Sequence, residues 1–75
     1  MQETLRAIVA KIAETGADFP ANANLRDDLN VDSVRALELV FEVERAFSIR
    51  VPEQRYAQVR TFADLAQVVD SLKAA

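Results

Sequence analysis

The residue pattern predicts an all-α fold: a small bundle of three main helices plus a short third helix, with a long loop between helices one and two. Three observations carry this. Apolar residues recur at helical spacing in three separate segments, no stretch carries a strand signal, and Pro52 opens a brief polar segment ahead of the final helix. The 75 residues fit a single domain, residues 1–75, whose core is thin because a chain of this size buries roughly 60% of its unfolded surface.

In the first segment Leu5, Ile8, Val9 and Ile12 fall at i, i+3, i+4 and i+7, the stripe of an amphipathic helix. Thr4, beside acidic Glu3, suits its first turn, and Gly16, the single glycine, is expected to provide a left-handed stop. Residues 17–32, ADFPANANLRDDLNVD, contain one proline and three asparagines and keep no period, so they read as a loop. Connections this long are either functional or disordered. Phe19, Leu25, Leu29 and Val31 are spaced as anchors that pin this one over the core, and NLRDDL suits one isolated turn.

A second helix is expected from about Ser33 to Phe47, with Asp32 or Ser33 as its N-cap. Ile49 and Val51 lead to Pro52, which is placed to open a short helix in PEQRYAQV. Thr61 and Asp64 resemble a capping box at the start of the last helix, whose stripe is Phe62, Leu65, Val69 and Leu72.

Composition excludes several functions. Without cysteine or histidine the chain lacks thiolate ligands, disulfides, and the commonest general base and metal ligand. No basic face can be assembled from neighbouring residues, which argues against nucleic acid as a partner. No apolar run approaches the ~18 residues of a membrane span, and MQETLRAIVAKIAE lacks a signal peptide's layout, so a cytoplasmic protein is expected. Residues 26–45 hold six acids and three arginines, a local excess equal to the whole net charge of −3. Asp27 and Asp28 are adjacent acids on a solvated turn, a poor basis for acid–base catalysis in a thin bundle.

On a wheel of about 100° per residue, Ala36, Leu39, Val40, Val43, Ala46 and Phe47 gather on one arc, the expected core face. A second apolar arc, Val34, Leu37 and Phe41, lies between Glu44 and Glu38. Either this helix is buried on two sides, or it exposes a ridge with an acidic rim that docks basic partners. Ser33 stands at the top of the gap between the arcs. It is either a simple cap or a hydroxyl that another enzyme modifies, since no histidine activates it and Lys11 and Lys73 are far away in sequence. A phosphodiester there profits from the free N–H groups of the helix start.

The run LRDDLNVDSVRALELVFEVERAFSIRVP resembles the acyl carrier proteins, whose pattern is a leucine, Gly-x-Asp-Ser-Leu, a helix, then Phe-Gly-Ile-x-Ile-Pro. Leu29, Asp32 and Ser33 fall on the leucine and the Asp-Ser pair; Glu38, Leu39, Val40 and Glu44 match the helix; Phe47, Ile49, Val51 and Pro52 match its exit. The resemblance, spanning roughly residues 4 to 72, implies that Ser33, with Asp32 as motif neighbour, takes a covalent 4′-phosphopantetheine from coenzyme A through a phosphopantetheinyl transferase. The arm's thiol then carries acyl groups as thioesters to acyl-transferring or synthase enzymes. Such a carrier is no enzyme, binds no metal and is expected to be a monomer. Val34, Arg35, Leu37, Glu38, Phe41, Glu44, Arg45 and Glu53 are the implied docking residues. Leu39, Val43, Phe47, Val51, Val59 and Leu65 are the implied lining of an acyl space.

Departures from the pattern are informative. Asn30 stands in place of glycine and suits a left-handed residue, whereas Ser48 after Phe47 suits one less well, and Val34 replaces leucine. Arg35, Arg45 and Arg55 fall where fatty-acid carriers are strongly acidic, which points to a specialised lipid, polyketide or secondary-metabolite pathway. The alternatives are a housekeeping fatty-acid carrier or an unmodified interaction module; a peptidyl carrier lacks support because no Gly-Gly precedes the serine region. Tyr56 is either a lid or partner contact, or a half-buried ring anchoring a weak helix.

Overall fold

Amphipathic stripes turn into helices in the order the sequence predicts. The computed structural model describes residues 2–74 and contains α1 (Gln2–Ala13), α2 (Ser33–Phe47), α3 (Glu53–Tyr56) and α4 (Phe62–Ala74). The core is one cluster: Leu5 and Val9 of α1, Leu39 and Val43 of α2, and Phe62, Leu65 and Val69 of α4 are essentially sealed from solvent. Each such side chain contributes on the order of 1.5–3 kcal/mol. A Cα radius of gyration of 11.0 Å matches the value of about 11 Å expected for a close-packed chain of this length. Among the described residues no helix is long and apolar enough to cross a membrane.

The long connection between α1 and α2 is ordered because its apolar residues are buried and its polar groups are satisfied. Phe19, Ala23, Leu25, Leu29 and Val31 all join the core. The NLRDDL turn forms: the Asp28 and Leu29 N–H groups donate to the Asn24 carbonyl, at 2.9 and 3.1 Å. Asn24 Oδ1 accepts from the N–H groups of Arg26 and Asp27, and the Asp28 carboxylate accepts from the Asn24 N–H, the reciprocal pattern of a capped helical turn.

This loop also completes the start of α4. The Phe62 and Ala63 N–H groups, which have no partner inside the helix, donate to the carbonyls of Ala23 and Ala21 at 3.1 and 2.9 Å. Thr61 Oγ1 accepts from the Asp64 N–H while the Asp64 carboxylate accepts from the Thr61 N–H, both at 3.1 Å, so the Thr61–Asp64 capping box is present. An isolated bridge joins Asn24 to Thr61, and the Leu25 N–H donates to the Arg60 carbonyl at 2.9 Å. Arg6, a residue that the helical stripe does not single out, fastens the far side. Its Nη1 donates to the carbonyls of Ala17 and Phe19 at 2.9 and 2.6 Å. The same guanidinium stacks on the edge-to-face pair Phe19–Phe62, 4.7 and 4.8 Å from the two ring centres.

Three expectations need correction. Gly16 is not the left-handed stop of α1; Glu14 is, at φ 57°. There the Thr15 N–H reaches the Ala10 carbonyl and the Glu14 N–H the Lys11 carbonyl, closing a Schellman motif before Gly16 is reached. Ala46 is exposed rather than core, because it lies at the edge of the apolar arc and its methyl is too short to reach inward. Pro52 is the N-cap of α3, not its first helical residue, and the helix ends after four residues as Gln58 and Val59 turn back to the Arg55 and Tyr56 carbonyls.

At the other end of α2, Ser48 adopts φ 55°, ψ 47°, and its N–H and that of Ile49 both reach the Glu44 carbonyl. A non-glycine residue there bears ~1–2 kcal/mol of steric strain, of which glycine's larger unfolded-state entropy takes back part. Ser48→Gly is therefore expected to raise stability by roughly 0.5–1 kcal/mol, read as a higher urea midpoint at unchanged slope; an unchanged or lower midpoint would refute the strain assignment.

Candidate functional site

Asp32 and Ser33 divide two tasks at the start of α2. Asp32 is extended, at φ −75°, ψ −174°, and its Oδ1 accepts the Arg35 N–H at 2.9 Å, so Asp32 is the cap. Ser33 is the first helical residue and is exposed. Among the described residues none of the side-chain hydrogen bonds engages the Ser33 hydroxyl. Asn30, at φ 57°, turns the chain into this segment, and the conformation suits asparagine. A free hydroxyl at an open helix start fits a phosphodiester-linked group: the backbone donors favour the negative charge, and no protein partner must be displaced.

Beside Ser33 lies an open groove of about 570 Å³. Its floor is apolar, from Leu25, Val31, Ala36 and Val59, and its rim is polar, from Asn24, Arg26, Asp27, Asp32, Tyr56 and Arg60. The contacts between loop and α4 start hold residues 24 and 25 against residues 60 and 61, so two remote stretches of sequence border one groove. Tyr56 is half-buried, and burial pushes its phenol pKa up. Asp64 is held below the usual carboxylate range by the N–H groups of Arg60 and Thr61, which donate to its carboxylate.

The second arc of α2 is exposed. Val34 is 67% accessible and Leu37 and Phe41 are each 57% accessible, a ridge that no other element covers. Glu38, Arg45 and Glu53 are exposed as well. Arg35 and Glu44 are half-buried and already engaged. Arg35 pairs with Glu14 at 2.6 Å, and Glu44 Oε2 accepts the Val51 N–H at 2.8 Å. The wheel carried the signal for Glu44, which stands between the two apolar arcs. Lys11 and Glu42, at 3.3 Å, tie α1 to α2 behind the ridge.

The residues implied as acyl lining lie together inside. Leu39, Val43, Val51 and Leu65 are buried, and Phe47 and Val59 are partly buried against them. The Lys73 ammonium covers the Phe47 ring at 5.3 Å. The groove residues Arg26 and Arg60 escaped sequence reasoning, because backbone pairing brings their segments to one groove across 33 intervening positions.

Comparison with known proteins converges on one family. The family described as the phosphopantetheine attachment site matches residues 3–69. An acyl carrier protein of Amoebophilus asiaticus is 38% identical over 72 residues, covering 96% of this chain and 86% of its own. An acyl carrier protein of Helicobacter hepaticus is 28% identical, with 95% of each chain covered. A solved structure from Mycobacterium tuberculosis, provisionally described as an acyl carrier protein, superposes with a TM-score of 0.88 at 28% identity, covering 93% of this chain and 95% of that one.

The depressed pKa of Asp64 has a pH consequence. A carboxyl whose folded value lies below its unfolded one stabilises the fold above the unfolded value and loses that contribution as pH falls through the folded value. Below the ordinary value of 3.8 the wall formed by Arg60 and Thr61 is expected to loosen. Asp64→Asn should lower the melting temperature at pH 7 and flatten its decline toward acid; an acid decline as steep as in the wild type would refute this role.

Proposed function

The chain belongs to the acyl carrier protein family, whose members hold 4′-phosphopantetheine covalently, and from that membership we propose that Ser33 is the attachment residue. The observation that carries this reading is the exposed, uncommitted Ser33 hydroxyl at the first position of α2, with capping left to Asp32. In the modification, a separate transferase lets the Ser33 oxygen attack the coenzyme A phosphorus that bears pantetheine. The new O–P bond replaces the pyrophosphate bond, 3′,5′-ADP leaves, and the hydroxyl proton passes to the transferase. Once bound, the arm supplies a thiol that holds an acyl group as a thioester. The chain itself presents and orients; acyl-transferring and synthase enzymes catalyse.

The ridge of Val34, Leu37 and Phe41 is proposed as the docking surface, rimmed by Glu38, Glu44 and Arg45 and continued by Glu53 at the start of α3. Burying one such side chain against a partner is worth on the order of 1–2 kcal/mol, while the charges set orientation and partner choice. The unit proposed is a single carrier domain acting as a monomer. A specialised lipid, polyketide or secondary-metabolite pathway is favoured over housekeeping fatty-acid synthesis. Exposed Arg45 and half-buried Arg55 support it by opposing a strongly basic partner, while Arg35 is tied to Glu14 and contributes less.

Intact mass after co-expression with a promiscuous phosphopantetheinyl transferase tests the attachment. Wild type is expected to gain one phosphopantetheine and Ser33→Ala none, with circular dichroism unchanged; a wild type that stays unmodified, or a modified Ser33→Ala, rejects the assignment. Leu37→Lys should keep the melting temperature within about 1–2 °C yet weaken transferase or synthase binding roughly tenfold. Undiminished binding would remove the ridge from the docking role.

A further inference from the structure

We infer that the protein seated on the ridge of α2 presents a surface of mixed charge, meeting Arg45 with a carboxylate and Glu38 with a cation; this rests on docking at that ridge. The acid excess of residues 26–45 sits ahead of the helix. Asp27, Asp28 and Asp32 precede Ser33, and Asp28 and Asp32 accept the backbone N–H groups of Asn24 and Arg35. From the start of α2 to the end of α3, residues 33–56 hold four glutamates, four arginines and no aspartate or lysine, a net charge of zero. A face without net charge exerts no long-range pull on a uniformly basic patch.

The fold then decides which of these charges a partner meets. Glu42 is paired with Lys11 at 3.3 Å and Arg35 with Glu14 at 2.6 Å, both toward α1, and Glu44 Oε2 accepts the Val51 N–H. Those ion pairs use neither Glu38 nor Arg45, and both of these are exposed. Their register follows the ridge. Glu38 stands four residues after Val34 and Arg45 four after Phe41, so each charge neighbours an apolar side chain on the helix surface. The seven-residue spacing sets the two charges about 20° apart around the helix and about 10 Å apart along it. The ridge thus has a dipolar edge, negative near its middle and positive toward the end of α2. A partner offering two cations gains at Glu38 and loses at Arg45. A second copy of this chain fits less well, because three exposed side chains on each copy fall short of the ~1,000 Å² of a specific interface, whereas a recess in a larger enzyme encloses the ridge.

Phe41→p-benzoylphenylalanine, photolysed in extract of the cells that make the protein, marks the occupant covalently; that enzyme is then purified and titrated with the unmarked carrier. Arg45→Glu is expected to weaken its binding roughly tenfold and Glu38→Lys roughly fivefold, at unchanged melting temperature. Wild-type binding should fall less than about threefold between about 0.05 and 0.5 M salt. Carbodiimide joins a carboxylate to an amine, so Arg45→Lys should couple to an aspartate or glutamate of the enzyme, and changing that residue to lysine should restore binding of the Arg45→Glu carrier. Tighter binding of Arg45→Glu, or a tenfold loss with salt, indicates a uniformly basic partner and overturns the inference while the ridge remains the docking site. Failure of the changed enzyme to rescue Arg45→Glu overturns the pairing of Arg45 with a carboxylate. A photoproduct joining two carrier chains overturns the choice of occupant. Undiminished binding of Leu37→Lys, or no photoproduct at all, overturns docking at the ridge, and this inference with it.

Discussion

One hydrogen bond, from the Arg35 N–H to the Asp32 carboxylate, governs the business end of this molecule. A helix start needs side-chain acceptors for its unpaired donors, and serine is ordinarily recruited for that purpose. With an aspartate one residue earlier in that role, the serine becomes the first residue of the helix, exposed and with its hydroxyl outside the side-chain hydrogen bonds of the described residues. The remaining N–H groups and the positive end of the helix stay available to the phosphodiester proposed for that oxygen. A neutral cap would leave the same geometry with a weaker hold on the first turn.

The rest of the fold positions this helix while leaving one of its sides open. The core face of α2 closes against α1 and α4, and Glu44 spends one carboxylate oxygen on the Val51 N–H, anchoring the chain as it leaves the helix. Val34, Leu37 and Phe41 gain nothing from the fold, since no element covers them. A thin bundle that leaves three large apolar side chains in water has forgone the stability their burial would supply. An exposed apolar ridge of this kind is what the proposed docking role requires.

The helices were legible because each depends on a local period, and the capped turn at Asn24 and the Thr61–Asp64 box were legible because each depends on residues three or four apart. The helix stop at Glu14 was not. Glycine is the usual choice for that conformation, but hydrogen bonds from Glu14 and Thr15 to the preceding turn close the helix two residues before Gly16. Ala46 fits an apolar arc by angle, yet a methyl at the margin of an arc reaches nothing. Arg6 and the groove pair Arg26 and Arg60 stayed hidden for a different reason. Their surroundings are assembled by the long loop folding back on α4, and no window along the chain contains both halves.

The groove wall has one more property of practical use. Tyr56 is the sole tyrosine of the chain, tryptophan is absent, and the ring stands on the rim next to Ser33. Ultraviolet absorbance and emission beyond the phenylalanine band therefore originate from a single chromophore at the place of interest. Polarity or quenching changes in that band are a label-free readout of whatever enters or leaves, recorded on the unaltered polypeptide.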